Sequence, residues 1–167
     1  FNAIPFINAD GYHSKTIAYS IWHIFRIEDI VAHTVITEDE QVFFTGNYQV
    51  RINSPIITTG NELVKQQIAD FSKQLNLEEL YSYIFEVRES TEKILERFSY
   101  DELKWKIPDE RKGYLKSLNV VNCDEKAIWL IDYWCSKDIR GLIQMPFSRH
   151  WIMHTEACLR IKNKMHS

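Results

Sequence analysis

Apolar residues recur at the three-to-four-residue spacing of an α-helix along most of the chain, and this pattern predicts an all-α protein. Between residues 15 and 37 the apolar positions cover an arc too broad for a helix with one exposed face. A long helix in the centre of the fold is therefore expected there, with Ser14 as its N-cap. The periodicity then breaks over 38–58, which predicts a crossover segment.

Two more helices are predicted in the middle of the chain. Thr59 and Glu62 have the spacing of a capping box, which predicts a helix over about 60–75. Asn76 is the expected N-cap of a longer helix over about 77–98. Its apolar residues follow helical spacing on one face, and the opposite face is charged. A charged face of this kind is typical of the outer wall of a helical bundle.

A short helical turn and two further helices are predicted in the C-terminal part of the chain. The turn is expected over 100–106. A helix is predicted over about 125–140, with Gly141 as its stop. Pro146 fits the first turn of the last helix, predicted over about 147–164.

These elements predict a single domain over 1–167, folded as an antiparallel four-helix bundle with a long crossover and short extra helices. The residues 1–13 are expected to form a lead-in loop packed on the body, and 109–113 a surface loop. The chain contains only 5 Gly and 4 Pro, which argues against a turn-rich all-β fold.

Composition narrows the classes of partner and the compartment. A net charge of −3, with 20 basic and 23 acidic residues spread along the chain, gives no basic patch for nucleic acid. The sequence contains no run of about 18 apolar residues, so no membrane span is predicted. The three cysteines, Cys123, Cys135 and Cys158, have no CxxC spacing, which favours free thiols in a reducing cytoplasm.

The candidate chemistry lies in three histidines. His150 and His154 are four residues apart on the last predicted helix, so their side chains lie on one face and can share a metal ion. Two histidines at this spacing also often line a core or a surface. His23, on the central helix, is a possible third ligand, and its simplest interpretation is a core histidine whose nitrogens bond to neighbours.

Three imidazoles would leave a zinc- or nickel-type ion with open positions for water or substrate, the pattern of a catalytic metal site. Several enzyme classes are excluded by their motifs. A zincin needs a glutamate after the first histidine, where this chain has Trp151. No Glu-x-x-His pair, phosphate-binding loop, dinucleotide fingerprint or nucleophile elbow occurs.

Three further residues are candidates for the surroundings of the predicted site. Cys158 follows one turn after the second histidine of the pair, so it is either a fourth ligand, a thiol near the metal or a small buried hydrophobe. Asp132 and Tyr133 are polar residues in an apolar helix. They either reach the site or face water.

The central helix carries further polar residues. Arg26, Glu28 and Asp29 are predicted to form pairs that fix helix packing, or to orient a ligating histidine through a carboxylate. His33 is ten residues after His23, about 80° around the helix, which is an awkward position for a shared ion.

Two blocks of the sequence resemble the DinB/YfiT-like superfamily of metal-dependent enzymes. Residues 22–29 read Trp-His-Ile-Phe-Arg-Ile-Glu-Asp, similar to the second helix of that family. Residues 145–154 read Met-Pro-Phe-Ser-Arg-His-Trp-Ile-Met-His, similar to its last helix. The resemblance implies a four-helix bundle in which His23, His150 and His154 bind a divalent cation.

The resemblance also implies S-transferase or isomerase activity that uses a low-molecular-weight thiol, and often a homodimer. One helix of the family normally precedes the Trp-His helix, whereas only about a dozen residues with a weak helical pattern precede it here. Because the chain begins at Phe1 rather than Met, an N-terminal helix is expected to be missing or truncated. Otherwise the 60–75 helix or another chain completes the bundle.

Two hypotheses follow. In the first, the three histidines hold a metal ion that activates a thiol cofactor or water for S-transfer or hydrolysis on a small electrophilic substrate. In the second, the histidine cluster belongs to a helical bundle that binds metal or serves assembly without catalysis.

Overall fold

The computed structural model describes residues 15–165, and these are mostly helical. No β-strand occurs in this range, where the only pairing of extended backbone is an isolated bridge between Lys106 and Asp138. The all-α prediction is therefore confirmed. The predictions for 1–13, for Ser14 and for a preceding helix lie outside the described residues.

The α-helices, in chain order, are α1 (Ile17–Asp29), α2 (Val42–Thr45), α3 (Tyr48–Arg51), α4 (Gln66–Gln74), α5 (Leu77–Leu95), α6 (Arg111–Ser117), α7 (Glu125–Cys135), α8 (Ile139–Gln144) and α9 (His150–Met165). Two π-helical segments, Ile30–Thr37 and Met145–Arg149, extend α1 and join α8 to α9. A 3-10 turn covers Glu102–Lys104. No helix in the part of the chain described here has both the length and the apolar character of a membrane span.

Helix α1 lies in the centre of the fold, as its broad apolar arc predicts. Every residue of α1 except Ile21 is buried, and the helix contacts α4, α5 and α9. Its first turn is capped by Thr16, whose hydroxyl oxygen accepts a hydrogen bond of 3.0 Å from the backbone amide of Tyr19. Trp22, fully buried, packs edge-on against Phe71 of α4.

Polar side chains at the C-terminal end of α1 fix the packing of two other helices. Asp29 accepts hydrogen bonds of 2.9 Å from the backbone amides of both Val42 and Phe43, which are the first residues of α2. It also accepts one of 2.8 Å from the hydroxyl of Tyr83 on α5. Arg26 lies 3.4 Å from the same carboxylate. The predicted pairing of Arg26 and Asp29 is therefore confirmed.

The prediction of a helix over 60–75 is wrong for its first part, because α4 begins only at Gln66. Gly60 has φ +76°, which is not a helical conformation, and a Cβ at this position would lie 2.8 Å from the ring of Trp22, so the position favours glycine. The hydroxyl of Thr58, rather than that of Thr59, bonds to Glu62. The expected capping box is therefore absent from this segment.

Two boundaries in the C-terminal part also differ from prediction. Helix α7 ends at Cys135, and Gly141 lies inside α8, where its amide donates to the capping side chain of Asp138 at 2.8 Å. The predicted surface loop at 109–113 instead enters α6. Arg111 is buried there because its guanidinium donates to the carbonyl of Thr34 at 2.9 Å.

The last helix is longer than predicted. Helices α8 and α9 and the π-helical segment between them form one helical run, and Pro146 lies in the first turn of the π-helical segment. Proline has no N–H and clashes with the preceding turn of a regular α-helix, so a widened turn at this point accommodates it. The predicted helix over 147–164 lies within this run, and α9 packs against α1.

Candidate metal centre

His23, His150 and His154 converge at the contact between α1 and α9. One ring nitrogen of each histidine lies within 4.8 Å of those of the other two. The ring centroids are 5.1 Å apart for His23 and His150, 5.0 Å for His23 and His154, and 4.5 Å for His150 and His154. The three residues predicted from the sequence are therefore together in space.

Helix geometry and the contacts of Trp151 together position the two histidines of α9. The four-residue spacing stacks His150 and His154 on the face of α9 that meets α1. Trp151, between them, packs edge-on against Phe25 at 4.7 Å and donates from its indole N–H to Glu28 at 2.9 Å. Both contacts tie α9 to α1 and hold the imidazoles against His23.

The hydrogen bond of His23 determines which of its nitrogens is available. Its Nδ1 lies 2.6 Å from the backbone carbonyl oxygen of Thr59. Because a carbonyl oxygen can only accept, Nδ1 carries the proton, and the neutral ring has its lone pair on Nε2. The ring of Tyr19 stacks on His23 at 5.5 Å, and the Tyr19 hydroxyl donates to the carbonyl of Gly60 at 2.8 Å. The 58–60 loop thus orients the imidazole.

All three imidazoles are held in the neutral form that binds metal. Burial lowers the pKa of His150 to about 4 and that of His154 to about 3, and nearby positive charge adds to both effects. Burial also lowers the pKa of His23 well below its ordinary value. At neutral pH each ring therefore offers a free lone pair.

The donor set suits a divalent ion of the zinc or nickel class. Imidazole nitrogens are good ligands for both metals, and three protein ligands leave at least one coordination position open. The Nδ1 atom of His150 is buried without a hydrogen-bond partner among the described residues. A buried polar atom left in this way is costly unless something binds the ring. The residues present therefore fit a metal ion.

A cavity of about 350 Å³ opens onto the three imidazoles. Its walls come from α1, α7, α9, the π-helical segment before α9, and the loop that contains Asn61. Trp129 lines the cavity and is 49% exposed. The cavity places the open side of the histidine cluster against a space large enough for a small molecule.

The other candidate residues have different surroundings. Cys158 is half-buried and is not part of the group of three ligand atoms. Asp132 faces solvent and pairs with Lys112 at 2.7 Å, whereas its neighbour Tyr133 lines the cavity. Glu28 contacts Trp151 rather than a histidine of the cluster.

His33 belongs to a separate polar group. Its Nδ1 lies 2.6 Å from a carboxylate oxygen of Asp39, and its Nε2 lies 3.0 Å from the hydroxyl of Ser90. The order serine, histidine, aspartate resembles a hydrolase triad, but Ser90 lies inside α5, where backbone amides bond within the helix. The group therefore joins the end of the π-helical segment to α5.

The sequence pattern does not predict three residues of the site. Thr59 acts through its backbone carbonyl, and a backbone group has no signature in the side-chain pattern. Lys15 and Asn61 line the cavity, but each lies in a loop segment without periodicity. Only contacts distant in sequence bring them to the histidines.

Comparisons of the chain with models of protein families, with curated proteins and with solved structures give no significant match.

Proposed function

We propose that this protein is a metal-dependent enzyme, in which His23, His150 and His154 hold a zinc- or nickel-type ion beside a small-molecule cavity. The observation that carries the proposal is the convergence of three neutral imidazoles, two buried and one half-buried, whose ligand atoms lie within 4.8 Å of one another. The proposed reaction is S-transfer from a low-molecular-weight thiol to an electrophilic small molecule, or hydrolysis of such a molecule by water.

A purely structural role explains the cluster less well. Core histidines are normally satisfied by hydrogen bonds to neighbours. Within the described part of the chain, His23 alone of the three has such a bond, to Thr59, and it uses the nitrogen that faces away from metal ligation. Three unprotonated nitrogens facing one another repel and lose their hydration, and a cation removes both costs.

The residues of the chain have distinct parts in this proposal. Thr59 orients His23 and raises the basicity of its free nitrogen. Trp151 and Glu28 keep the α9 pair in register with α1. The apolar walls limit the access of water to the imidazoles. A divalent ion at this position supplies Lewis acidity, which favours the deprotonated form of a thiol or of water.

The resemblance to the DinB/YfiT-like superfamily is the basis for the thiol and for the finer architecture. We propose an antiparallel four-helix bundle in which α1 packs with α4, α5 and α9, all of which it contacts. In this arrangement α4 completes the bundle within the described chain. A homodimer is part of the same proposal, and light scattering of the purified protein tests it.

Metal analysis followed by activity assays tests the proposed function. Protein purified without a His tag is expected to contain one zinc or nickel ion per chain, and His150→Ala is expected to lose it. Cys158→Ser is the matched control, because Cys158 follows His154 by one turn but is outside the ligand group. Conjugation of a low-molecular-weight thiol to a chloronitrobenzene is then measured with and without chelator.

The outcomes separate the alternatives. Stoichiometric metal and a chelator-sensitive conjugation or hydrolysis rate, both lost in His150→Ala, support the enzyme. A closed shell of four ligands that includes Cys158, with no rate above background, supports the non-catalytic metal-binding bundle. Absence of bound metal after addition of zinc overturns both.

A further inference from the structure

The cavity beside the histidine cluster has an unusual charge balance. Of the lining residues that the structure describes, only Lys15 has a charged side chain, and none is an aspartate or a glutamate. Among residues 15–165, Lys15 makes no ion pair and no hydrogen bond through its side chain. The described walls of the cavity therefore give this ammonium group no counter-charge.

The position of Lys15 makes this imbalance costly. The side chain is half-buried beside the imidazoles, and burial lowers its pKa. A desolvated cation is unfavourable unless an anion pairs with it. In the proposed enzyme a divalent ion on three neutral histidines adds two further positive charges to the same cavity. An anionic ligand would offset part of this positive charge.

The remaining walls indicate what else this ligand carries. One side of the cavity is apolar and aromatic, and it is formed by Ile27, Trp129, Leu130, Trp134 and Met145. The Oδ1 atom of Asn61, which also lines the cavity, is buried and has no donor among the described residues. An amide oxygen in this position accepts a hydrogen bond from a ligand N–H or O–H. The volume of about 350 Å³ restricts the ligand to a small molecule.

We propose that the cavity binds a small organic acid with an apolar or aromatic body, whose carboxylate pairs with Lys15 while its body packs against Trp129 and Trp134. A hydroxyl or amino group on the same molecule would donate to Asn61. The inference rests on the proposed function in one respect, because it takes this acid to be the substrate of the metal centre. Binding of the acid itself requires only the cavity.

Binding of two matched probes to metal-free protein tests the inference. Phenylacetate carries the charge, and phenylacetamide is its neutral isostere. Trp129 and Trp134 line the cavity, so their fluorescence reports occupancy. Phenylacetate is expected to bind at least about 10-fold more tightly than phenylacetamide, and the difference should shrink at high salt.

Substitutions at position 15 assign this preference to the lysine. Lys15→Met is expected to abolish the preference for the acid, and Lys15→Arg to retain it. Lys112→Met is the matched control, because Lys112 pairs with Asp132 on the surface and does not line the cavity. An unchanged ratio of the two affinities in Lys15→Met overturns the inference, as does a failure of phenylacetate to bind wild-type protein at about 10 mM.

Repeating the titrations with zinc distinguishes this inference from the proposed function. If zinc fails to bind but metal-free protein prefers the acid through Lys15, the anion site stands and the proposed metal enzyme fails. If zinc binds in a 1:1 ratio and the preference for the acid requires zinc and survives Lys15→Met, the metal receives the carboxylate. The inference then fails while the proposed function stands.

Discussion

The hydrogen bond from His23 to Thr59 decides which ring nitrogen of His23 can bind a metal. Asparagine at position 23 can place its side-chain N–H near the position of Nδ1 and keep the bond to Thr59, but it has no atom in place of Nε2. We expect His23→Asn to weaken zinc binding by at least about 100-fold, since loss of an orienting partner alone costs about 10–100-fold.

The measurement is a zinc titration against a competing chelator, with urea unfolding of metal-free protein as the control for the fold. His23→Asn is expected to change the free energy of unfolding by less than about 2 kcal/mol, because the bond to Thr59 remains. Unchanged zinc affinity in His23→Asn would remove His23 from the set of ligands. A large loss of stability would show that the ring itself supports the fold.

Glu28 gives stability a defined dependence on pH. Burial raises the pKa of Glu28 to about 7 from an ordinary value of 4.5, although Arg88 and Trp151 act in the opposite direction. The folded protein therefore keeps this proton to higher pH than the unfolded chain does. The contribution of Glu28 to the free energy of unfolding is full below pH 4.5 and is lost as pH rises through 7, by up to about 3 kcal/mol.

Urea unfolding of wild-type protein and Glu28→Gln between pH 4 and pH 8 tests this expectation. The buried histidines contribute a slope of opposite sign in both proteins, so the difference between the two curves isolates Glu28. We expect wild-type protein to lose stability relative to Glu28→Gln as pH rises from 4.5 to 7. A difference that is constant over this range would contradict the assignment.

Among the helices, those with strong local signals were predicted well and those set by distant contacts were not. Helix α5 begins after Asn76, as expected, because the asparagine oxygen accepts from the amides of its first turn. Helix α4 begins later than predicted, because Gly60 packs against Trp22 with a positive φ, which is not helical. Residues 60 and 22 are far apart in the sequence, so no local pattern contains this contact.

The candidate site shows the same division. The four-residue spacing of His150 and His154 determines their relative position, because both lie on one helix. The approach of His23 depends on the packing of α1 against α9, and its orientation depends on the 58–60 loop. Spacing alone therefore predicts the pair and leaves His23 as either a third ligand or a core histidine. The family resemblance favours the third ligand, and neither line of reasoning predicts Lys15 or Asn61.

One carboxylate, that of Asp29, accepts hydrogen bonds from both α2 and α5, and this makes Asp29→Asn a test at the level of elements. The amide nitrogen of asparagine would face donors already directed at Asp29 from Val42, Phe43 and Tyr83. We expect a loss of about 3–5 kcal/mol in the free energy of unfolding, measured in urea.

The matched control is Asp132→Asn, because the side chain of Asp132 is 78% exposed and pairs only with Lys112 at the surface. This variant is expected to change stability by less than about 1 kcal/mol. Equal effects of the two substitutions would show that Asp29 does not hold α2 and α5 on α1.

For the whole molecule, metal binding and folding stability are linked through α1 and α9. A metal that binds only the folded chain stabilises it by RT ln(1 + [L]/Kd), which is about 2.7 kcal/mol at 100 times Kd. For a chain of 167 residues this corresponds to a rise of about 5–10 °C in Tm. We expect zinc added to metal-free wild-type protein to produce this shift, and Tm to return to its starting value with chelator.

Differential scanning fluorimetry with and without zinc measures the effect. His154→Ala is expected to show a much smaller shift, whereas Cys158→Ser should respond like wild-type protein because Cys158 is outside the ligand group. The cluster joins residues 23 and 154, so a metal there also connects parts of the chain that are distant in sequence. A shift of equal size in wild-type protein and His154→Ala would mean that zinc binds elsewhere, and the three histidines would then have no part in the stabilisation.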